Sequence, residues 1–458
     1  MHINRRTSAL LAAGVISFAA VAHADEKMTP IQSALSSTTI SGYVDTSIHW
    51  NPGTGNASVG PALFQGPGKA DGFNLNVVQL SIASPLDESE WASGYKADLW
   101  FGPDANTLNT QSIFASGRRA SAGDFGIRQA YVALRTPVGN GIDWKVGVFD
   151  AIIGYESLET GANPNYTHSL GHFVEPTTHT GVLGTYKVCD ALSISAGIAN
   201  TFGPAINERG HGPNSVGTGP SAAQPGNLPA PATAESYKTF MGSIAMTAPE
   251  SWGWASGSTL YLGAVNGFNA GIVDNQTSLY LGGTLATPVA GLKVGACFDW
   301  MDAHNFPSSA DSLWVIGGYA SYQATEKLSA HLRAEYLNGE APGDDVKMYE
   351  VTATLQYDLW KNVISRLEFR WDRADIPGNI KAFGGATSAG PNGSAEDDVL
   401  GGFVFKPAGF SGSSFEQYHS GSVLVEDAFL GVGSSFGSPA THARENAFLV
   451  ALNLIYKF

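Results

Sequence analysis

The sequence has little charge, almost no cysteine and no long apolar run after its first residues. Charged residues make up 14% of the chain, and only 2 of its 458 residues are cysteines. Cys189 and Cys297 belong to no Cys-x-x-Cys or Cys-x-x-Cys-His pattern, which argues against a redox, zinc or covalently attached haem role. Beyond the N-terminal segment, no window offers the roughly 18 unbroken apolar residues that a membrane-spanning helix needs. If the chain spans a membrane, it must therefore do so as a closed β-barrel.

Basic residues are also scarce relative to acidic ones. The chain has 25 Lys and Arg against 40 Asp and Glu, and its formal net charge is −15. This balance argues against nucleic acids and anionic lipid headgroups as partners, and it favours cations. Catalytic patterns are missing too, because there is no Gly-x-Ser-x-Gly elbow and no phosphate-binding glycine loop between a strand and a helix. We therefore expect no enzymatic activity, no bound cofactor and no nucleic-acid partner.

The N-terminus has the pattern of a secretory signal. Residues 1–24 contain two arginines, then an apolar stretch, and end in Ala-His-Ala, which fits a small-x-small cleavage site. The apolar core is too short to span a membrane comfortably, so a retained anchor is the weaker interpretation. We predict that the signal is cleaved, that residues 25–38 form a periplasmic segment, and that the mature protein is exported.

The C-terminus shows the period-two alternation of a strand. Every second residue from Phe448 to Phe458 is apolar, and the terminal residue is aromatic. This ending resembles that of bacterial outer-membrane barrels, whose last strand carries the signal read by the barrel-assembly machinery. The alternative is the ordinary last strand of a soluble sheet.

Strand-like runs recur along the whole chain, joined alternately by short turns and long loops. That asymmetry is typical of bacterial barrels, in which short turns face the periplasm and long loops face outside. We predict an all-β, transmembrane, antiparallel up-and-down barrel over residues 39–458. Its sixteen predicted strands are Thr39–Trp50, Phe73–Ser84, Ala92–Gly102, Gly126–Thr136, Gly141–Phe149, Thr177–Val188, Ala191–Phe202, Ser236–Ala248, Ser258–Gly267, Thr277–Thr287, Gly291–Trp300, Leu313–Ala324, Lys327–Leu337, Lys347–Leu359, Val363–Arg373 and Ala447–Phe458.

The number of strands depends on the stretch 374–446, which we interpret as a long outer loop. Within it, Val399–Lys406 and Ser422–Gly431 also alternate and could form another hairpin. The barrel would then have eighteen strands.

Charged residues occupy one face of three consecutive predicted strands in the second half. Unpaired buried charges cost several kcal/mol each, so this face does not lie in an apolar core. Two alternatives remain, a water-filled lumen or an ion-pair network that fills a narrow barrel. We favour the lumen, because barrels near this size are wide enough to leave an aqueous channel. The predicted pore-lining residues are His331, Arg333, Glu335, Glu350, Gln356, Asp358, Arg366, Glu368, Arg370 and Asp372.

The loop 150–176 is the candidate constriction. It follows the fifth predicted strand, the position from which general porins fold a loop into the lumen. Its candidate constriction residues are Glu156, Glu159, Asn163, Asn165, Tyr166 and Glu175.

The same loop contains histidines at a spacing that would suit a metal ion. His168 and His172 are four residues apart, and Glu175 and His179 follow, a set that would ligate zinc or copper if the segment were helical. The nearby prolines make a long helix doubtful, and such spacings arise readily by chance. We therefore expect no metal site.

Six short runs, all in the first half of the chain, resemble the β-barrel porin-2 (OmpL-like) family. They are Ile40–Asp45, Gln129–Val132, Val148–Asp150, Gly154–Glu156, Asn163–Ser169 and His179–Val182. The resemblance implies a pore-forming barrel in the outer membrane of a Gram-negative bacterium. The acidic Pro-Glu-Phe-Gly-Gly type of constriction motif is absent, so no residue role can be transferred from other porins.

Together these features predict a porin for the passive diffusion of small hydrophilic solutes. A mild cation preference is expected from the acidic composition and from Glu156 and Glu159. The alternative is a non-conducting binding or adhesion barrel that uses its long outer loops. Porins with sixteen strands are often trimers, so a homotrimer in contact with outer-membrane lipid is expected by analogy.

Overall fold

The computed structural model describes residues 37–52, 71–108, 110, 124–207, 238–267, 273–305, 309–341, 344–375 and 445–458. The strands are β1 (Thr39–Trp50), β2 (Gly72–Ser84), β3 (Ser93–Phe101), β4 (Phe125–Thr136), β5 (Ile142–Asp150), β6 (Thr178–Cys189), β7 (Leu192–Ala199), β8 (Thr239–Thr247), β9 (Thr259–Gly267), β10 (Val273–Ala286), β11 (Leu292–Asn305), β12 (Ser309–Gln323), β13 (Leu328–Ala341), β14 (Asp344–Trp360), β15 (Val363–Asp375) and β16 (Asn446–Lys457). Each strand pairs with its sequence neighbours, and β1 pairs with β16, so the sheet is a closed antiparallel barrel. None of the helices among these residues is long and apolar enough to cross a membrane.

The closure of the barrel decides the strand number. β15 pairs directly with β16, from Val363 opposite Tyr456 to Arg373 opposite Asn446. No further strand can therefore lie between them, which confirms sixteen strands and makes the eighteen-stranded alternative wrong. The two runs suggested for the extra hairpin and the predicted signal lie outside the described residues, so the signal and the domain limits stay predictions.

Alternate residues of each strand point outward and inward, as the sequence pattern predicts. In β1, Ile48 and Trp50 are exposed on the outside, whereas Asp45 and His49 are buried inside. In β16 the outward face carries the apolar series that ends at Tyr456. A barrel with lipid around it requires this arrangement, because water is available only on the inner side.

Several strands extend beyond their predicted ends at the side of the long loops. β11 continues to Asn305 and β13 to Ala341, a few residues past Trp300 and Leu337. The reason is that backbone pairing continues past the last apolar residues of the alternating pattern, so the hydropathy pattern ends before the strand does.

The barrel interior is not an empty cylinder at the level of the long loops. One apolar cluster joins Phe149 and Val265 on the inner wall, and Phe202 beyond the end of β7, to Ile153 of the connection between β5 and β6. A second cluster joins Tyr43, Trp100 and Leu108 on the other side. Polar contacts complete the filling, and they define the candidate site.

Candidate constriction site

The connection from β5 to β6, residues 151–177, folds into the barrel instead of lying over its rim; we call it the inner loop. It contains one short 3₁₀ turn, Thr160–Ala162, and one short helix, α1 (Leu170–Val174). The Ser169 side chain accepts a hydrogen bond from the backbone N–H of His172 and so caps the start of α1. α1 packs against β11, β12 and β13. Contacts with the barrel wall, and not local sequence alone, therefore determine the conformation of the inner loop.

The first part of the inner loop attaches to an apolar section of the wall. The Tyr155 ring stacks on the Tyr319 ring, with the centroids 3.8 Å apart, and the Tyr261 hydroxyl donates to the carbonyl of Ile152. Gly295 leaves space for this arrangement, since a Cβ there would lie 1.9 Å from the Tyr155 hydroxyl. Aromatic stacking and apolar burial therefore fix the start of the loop.

Arg333 of β13 holds the middle of the inner loop through an ion pair. Its Nη1 lies 2.7 Å from Glu156 Oε1 and its Nε lies 3.1 Å from Glu350 Oε2, and all three side chains are enclosed. Burial by itself raises the pKa of the Glu156 carboxyl, but the charge of Arg333 and the hydrogen bond with His168 outweigh it, so the pKa is lowered. Glu156 is therefore ionised and fully paired.

Arg366 of β15 binds the backbone of the same loop. Its Nη1 donates to the carbonyl oxygens of Thr160, Asn163 and Asn165 at 3.1, 2.9 and 2.8 Å, while its Nε and Nη2 donate to Asn453. Three carbonyl groups that converge on one guanidinium specify the loop path more tightly than a single ion pair would.

Glu368 and Arg370 on the same strand hold the next segment. Glu368 accepts from the backbone N–H groups of Tyr166 and Thr167 at 2.6 and 2.9 Å. Arg370 Nη1 donates to the carbonyl of His168 at 2.5 Å, and its Nη2 lies 2.8 Å from Asp372. Acidic and basic groups thus alternate along β15 and match the donors and acceptors of the loop backbone.

Tyr166 connects the inner loop to β1 and β2, next to the closing seam of the barrel, where β1 pairs with β16. Its hydroxyl lies 2.6 Å from His49 Nε2 on β1, 3.1 Å from Ser47 Oγ and 3.2 Å from Asn76 Oδ1, all within hydrogen-bond distance. The hydroxyl satisfies buried polar atoms of β1 and β2, so the loop also stabilises the strands next to the closing seam.

The last part of the inner loop brings carboxylates together. Glu335 accepts from the backbone N–H of Leu170, and the carboxyl of Glu175 faces the charge of Asp299 on β11. Burial first, and the charge of Asp299 second, raise the pKa of Glu175 well above its ordinary value. The folded protein therefore favours the protonated form of Glu175.

The predicted pore-lining residues all point inward, but most are covered by the inner loop. Seven of the ten are buried, namely Arg333, Glu335, Glu350, Arg366, Glu368, Arg370 and Asp372. His331, Gln356 and Asp358, nearer the short turns, are half-buried. For the seven, the ion-pair network that sequence reasoning ranked second describes the structure better than a wet wall, because the inner loop and the neighbouring strands supply their partners. Contact of any of the ten with a solute stays a prediction.

The six predicted constriction residues all belong to the inner loop. Glu159 is the most exposed of their acidic side chains, at 22%. The others bind the wall or the loop itself, and Asn163 bridges within the loop by donating to the carbonyl of Ser157 at 2.6 Å. Their role in a constriction likewise stays a prediction.

The loop histidines do not converge on one point. The rings of His168 and His172 stack with their centroids 4.0 Å apart, and His168 Nδ1 is engaged by Glu156 at 3.0 Å. Within the described ranges, no set of three or more His, Cys, Asp or Glu side chains is arranged to hold a metal ion.

Sequence reasoning missed a charged group on the opposite wall, on β3 to β5. Arg128 lies at its centre and pairs with Glu159, with Asp150 at 2.5 Å and with Asp98 at 3.5 Å. Around it is a partly exposed set that we call the β3–β5 patch. The patch consists of Lys96, Tyr131, Lys145 and Asp150.

The inward phase of β3, β4 and β5 would have identified most of this patch. Lys96, Tyr131 and Lys145 occupy alternate, inward positions of their strands, as the pairing of Lys96 with Tyr131 across β3 and β4 shows. This signal is weaker than that of β13 to β15, because the charges there are less dense. The position of Arg128 is harder to predict, since it lies at a register shift between β3 and β4.

Comparison with known proteins agrees with this architecture. The family described as "Putative beta-barrel porin-2, OmpL-like" matches residues 37–396, well beyond the first-half runs that suggested it. No curated protein sequence matches the chain.

Solved structures with the same fold are porins and outer-membrane channels. An anion-selective porin from Comamonas acidovorans superposes with a TM-score of 0.53 at 11% identity, covering 92% of this chain and 99% of that one. The channel DcaP of Acinetobacter baumannii gives 0.52 at 10% identity, with 92% and 97% covered. The trimer form of OmpT from Vibrio cholerae gives 0.50 at 10% identity, with 92% and 99% covered. At these identities the similarity shows the fold alone.

Proposed function

The chain belongs to the β-barrel porin-2 (OmpL-like) family, and on that premise we propose that it is a porin for the passive diffusion of small hydrophilic solutes. Family and fold are those of non-enzymatic channels of the Gram-negative outer membrane. The passive mechanism and the solute class are our inference.

One observation supports this proposal above the others: a loop is anchored inside the closed barrel while charged side chains on the opposite wall keep contact with water. Asp150 and Lys96 retain 33% and 29% of their side-chain exposure, although they lie on the inner wall. Both charges are paired, but a barrel filled only for stability would also enclose them. The dense packing elsewhere in the interior favours a narrow passage and therefore small solutes.

We further propose a mild preference for cations. Glu156 contributes little to it, since Arg333 and His168 occupy its carboxylate. Two acidic groups are partly exposed here, Asp150 of the β3–β5 patch and Glu159 next to it. They attract cations into the passage. Lys96 and Lys145 on the same wall oppose them, which keeps the preference mild.

Two partners follow from the same reasoning. The last strand, with its terminal Phe458, is the segment that the barrel-assembly machinery would recognise. A homotrimer is proposed by analogy with OmpT, one of whose structures is described as a trimer form.

Planar-bilayer recording tests the proposed function. The purified, folded protein should give stable conductance steps, and the reversal potential in a potassium chloride gradient should show a modest excess of cation current. A folded sample that never conducts would refute the pore, whereas an anion-selective reversal potential would refute only the cation preference.

A further inference from the structure

Lys145 of β5 is an enclosed basic side chain without an anionic partner. Its ammonium lies over the Tyr131 ring, 5.0 Å from the ring centroid, and the side chain is half-buried. Among the described residues, no side-chain hydrogen bond or ion pair involves Lys145. A partly desolvated ammonium is stabilised by a ring face, but less than by a carboxylate. Lys145 therefore retains the capacity to bind an anionic group.

The other basic side chains of the enclosed inner wall are engaged. Arg128 pairs with three carboxylates, Lys96 lies 2.9 Å from Asp98, and Lys457 donates to the carbonyl of Gly161 at 2.9 Å. Arg333, Arg366 and Arg370 are occupied by the inner loop and by wall residues. Lys145 thus differs from them because its ammonium has neither a carboxylate nor a carbonyl partner among the described residues.

The inner wall beside Lys145 carries no side chain at its next inward position. Gly147, the next inward position of β5, has a positive φ of 135°, and a Cβ there would lie 2.3 Å from the carbonyl oxygen of Ala130. Only glycine fits this close approach of the two strands, and it places no side chain between Lys145 and Phe149, the next inward residue of β5. The Tyr131 ring forms the apolar floor, since Tyr131 lies opposite Gly147.

Carboxylates border the same space on the side of the inner loop. Asp150 ends β5 and is one-third exposed, and Glu159 of the inner loop reaches the same Arg128. Asp150 attracts the charge of Lys145, whereas Lys96 and Arg128 repel it. The patch therefore presents an acidic edge towards the long loops and a basic edge towards the short turns, with an aromatic surface between them.

We propose that the β3–β5 patch is a weak binding site for small zwitterionic solutes of the amino-acid type. This rests on the proposed pore function and names one solute class for it. The solute carboxylate binds Lys145, its ammonium faces Asp150 and Glu159, and its carbon skeleton contacts the Tyr131 ring. The order of the charges makes the ammonium end point towards the long loops. Binding in a diffusion pore has to be weak, because a solute must also leave.

Uptake by proteoliposomes tests the proposal with two solutes of similar size and shape. Alanine is zwitterionic and lactamide is uncharged. Wild-type uptake of alanine should saturate with concentration, whereas uptake of lactamide should rise linearly. Lys145→Met should lower the ratio of alanine to lactamide uptake, measured at low concentration, by about three- to tenfold, because one charge-assisted contact is lost. Lys145→Glu should lower it further.

The control is Lys187→Met, which removes an exposed lysine that pairs with Asp190 beside a short turn. It should keep the wild-type ratio. A linear alanine uptake by the wild type, or the same ratio in Lys145→Met as in the wild type, would overturn the zwitterion site while leaving the pore in place. If the folded wild type admitted neither solute, the pore itself would be refuted, and this inference with it.

Discussion

Arg333 Nη1 and Glu156 Oε1 lie 2.7 Å apart although 177 residues separate them in the chain. Both side chains are enclosed, with 0% and 2% exposure. The contact joins the inner loop to β13, on a section of wall that would otherwise carry unpaired charge. It is the central attachment of the inner loop.

Removing Arg333 should loosen the inner loop and destabilise the barrel. Arg333→Met leaves Glu156 and Glu350 buried without their cation, and breaking such a pair costs about 3–5 kcal/mol. Thermal unfolding should occur at lower temperature, and single-channel records should become noisier. Arg373→Met, which removes an exposed pair with Asp375, is the control and should cost at most about 1 kcal/mol. Equal effects of the two variants would contradict the central role of Arg333.

Raising the pH should weaken the end of the inner loop at Glu175. The pKa of Glu175 is raised in the folded state, so the folded protein holds this proton more tightly than the unfolded chain does. The contribution of Glu175 to stability is therefore complete below the ordinary pKa of glutamate, and it is lost as the pH rises through the higher folded-state pKa.

The measurement is the rate of proteolysis of the inner loop between mildly acidic and alkaline pH. Glu175→Gln keeps a hydrogen-bonding group but cannot ionise, so its rate should depend less on pH than that of the wild type. Glu326→Gln changes an exposed residue and should retain the wild-type profile. If the pH profile of proteolysis were the same for all three proteins, the ionisation of Glu175 would be ruled out as the cause of the pH dependence.

Neutralising the acidic edge of the β3–β5 patch should reduce cation selectivity. Glu159→Gln combined with Asp150→Asn leaves Lys96, Lys145 and Arg128 in excess, so the reversal potential in a salt gradient should shift towards that of chloride. Asp190→Asn, at a fully accessible turn position, should not shift it. A double variant that is as cation-selective as the wild type would place the selectivity elsewhere.

Shortening the terminal aromatic side chain should impair assembly. The backbones of Phe458 and Gly42 exchange two hydrogen bonds of 2.9 Å at the seam, and the Phe458 ring lies against Gly42. Phe458→Ala should lower the fraction of heat-modifiable, folded barrel in the outer membrane. Phe448→Ala, on the outward face of the same strand, tests whether any lost aromatic has that effect. If both variants assembled equally well, the terminal position would have no special role.

The alternation of apolar and polar residues predicted the strands, their number and the inward face correctly. His331 and Arg333 were both placed on the inner face, because a period of two sets the direction of every side chain in a strand. The period of two does not determine how much of an inward side chain is exposed to solvent. His331 is half-buried and Arg333 is enclosed, and the difference is that the inner loop passes over one and not the other.

The sequence by itself determined the closed barrel and its orientation of side chains, because strand pairing between sequence neighbours and period-two patterning are local properties. Only the tertiary structure decided which charges face water. Arg366 and Asn165 are 201 residues apart, yet the Arg366 guanidinium donates a hydrogen bond of 2.8 Å to the Asn165 carbonyl. A charge is paired or free according to what lies across the barrel interior, and that depends on the closure of the whole sheet and on the path of one loop through it.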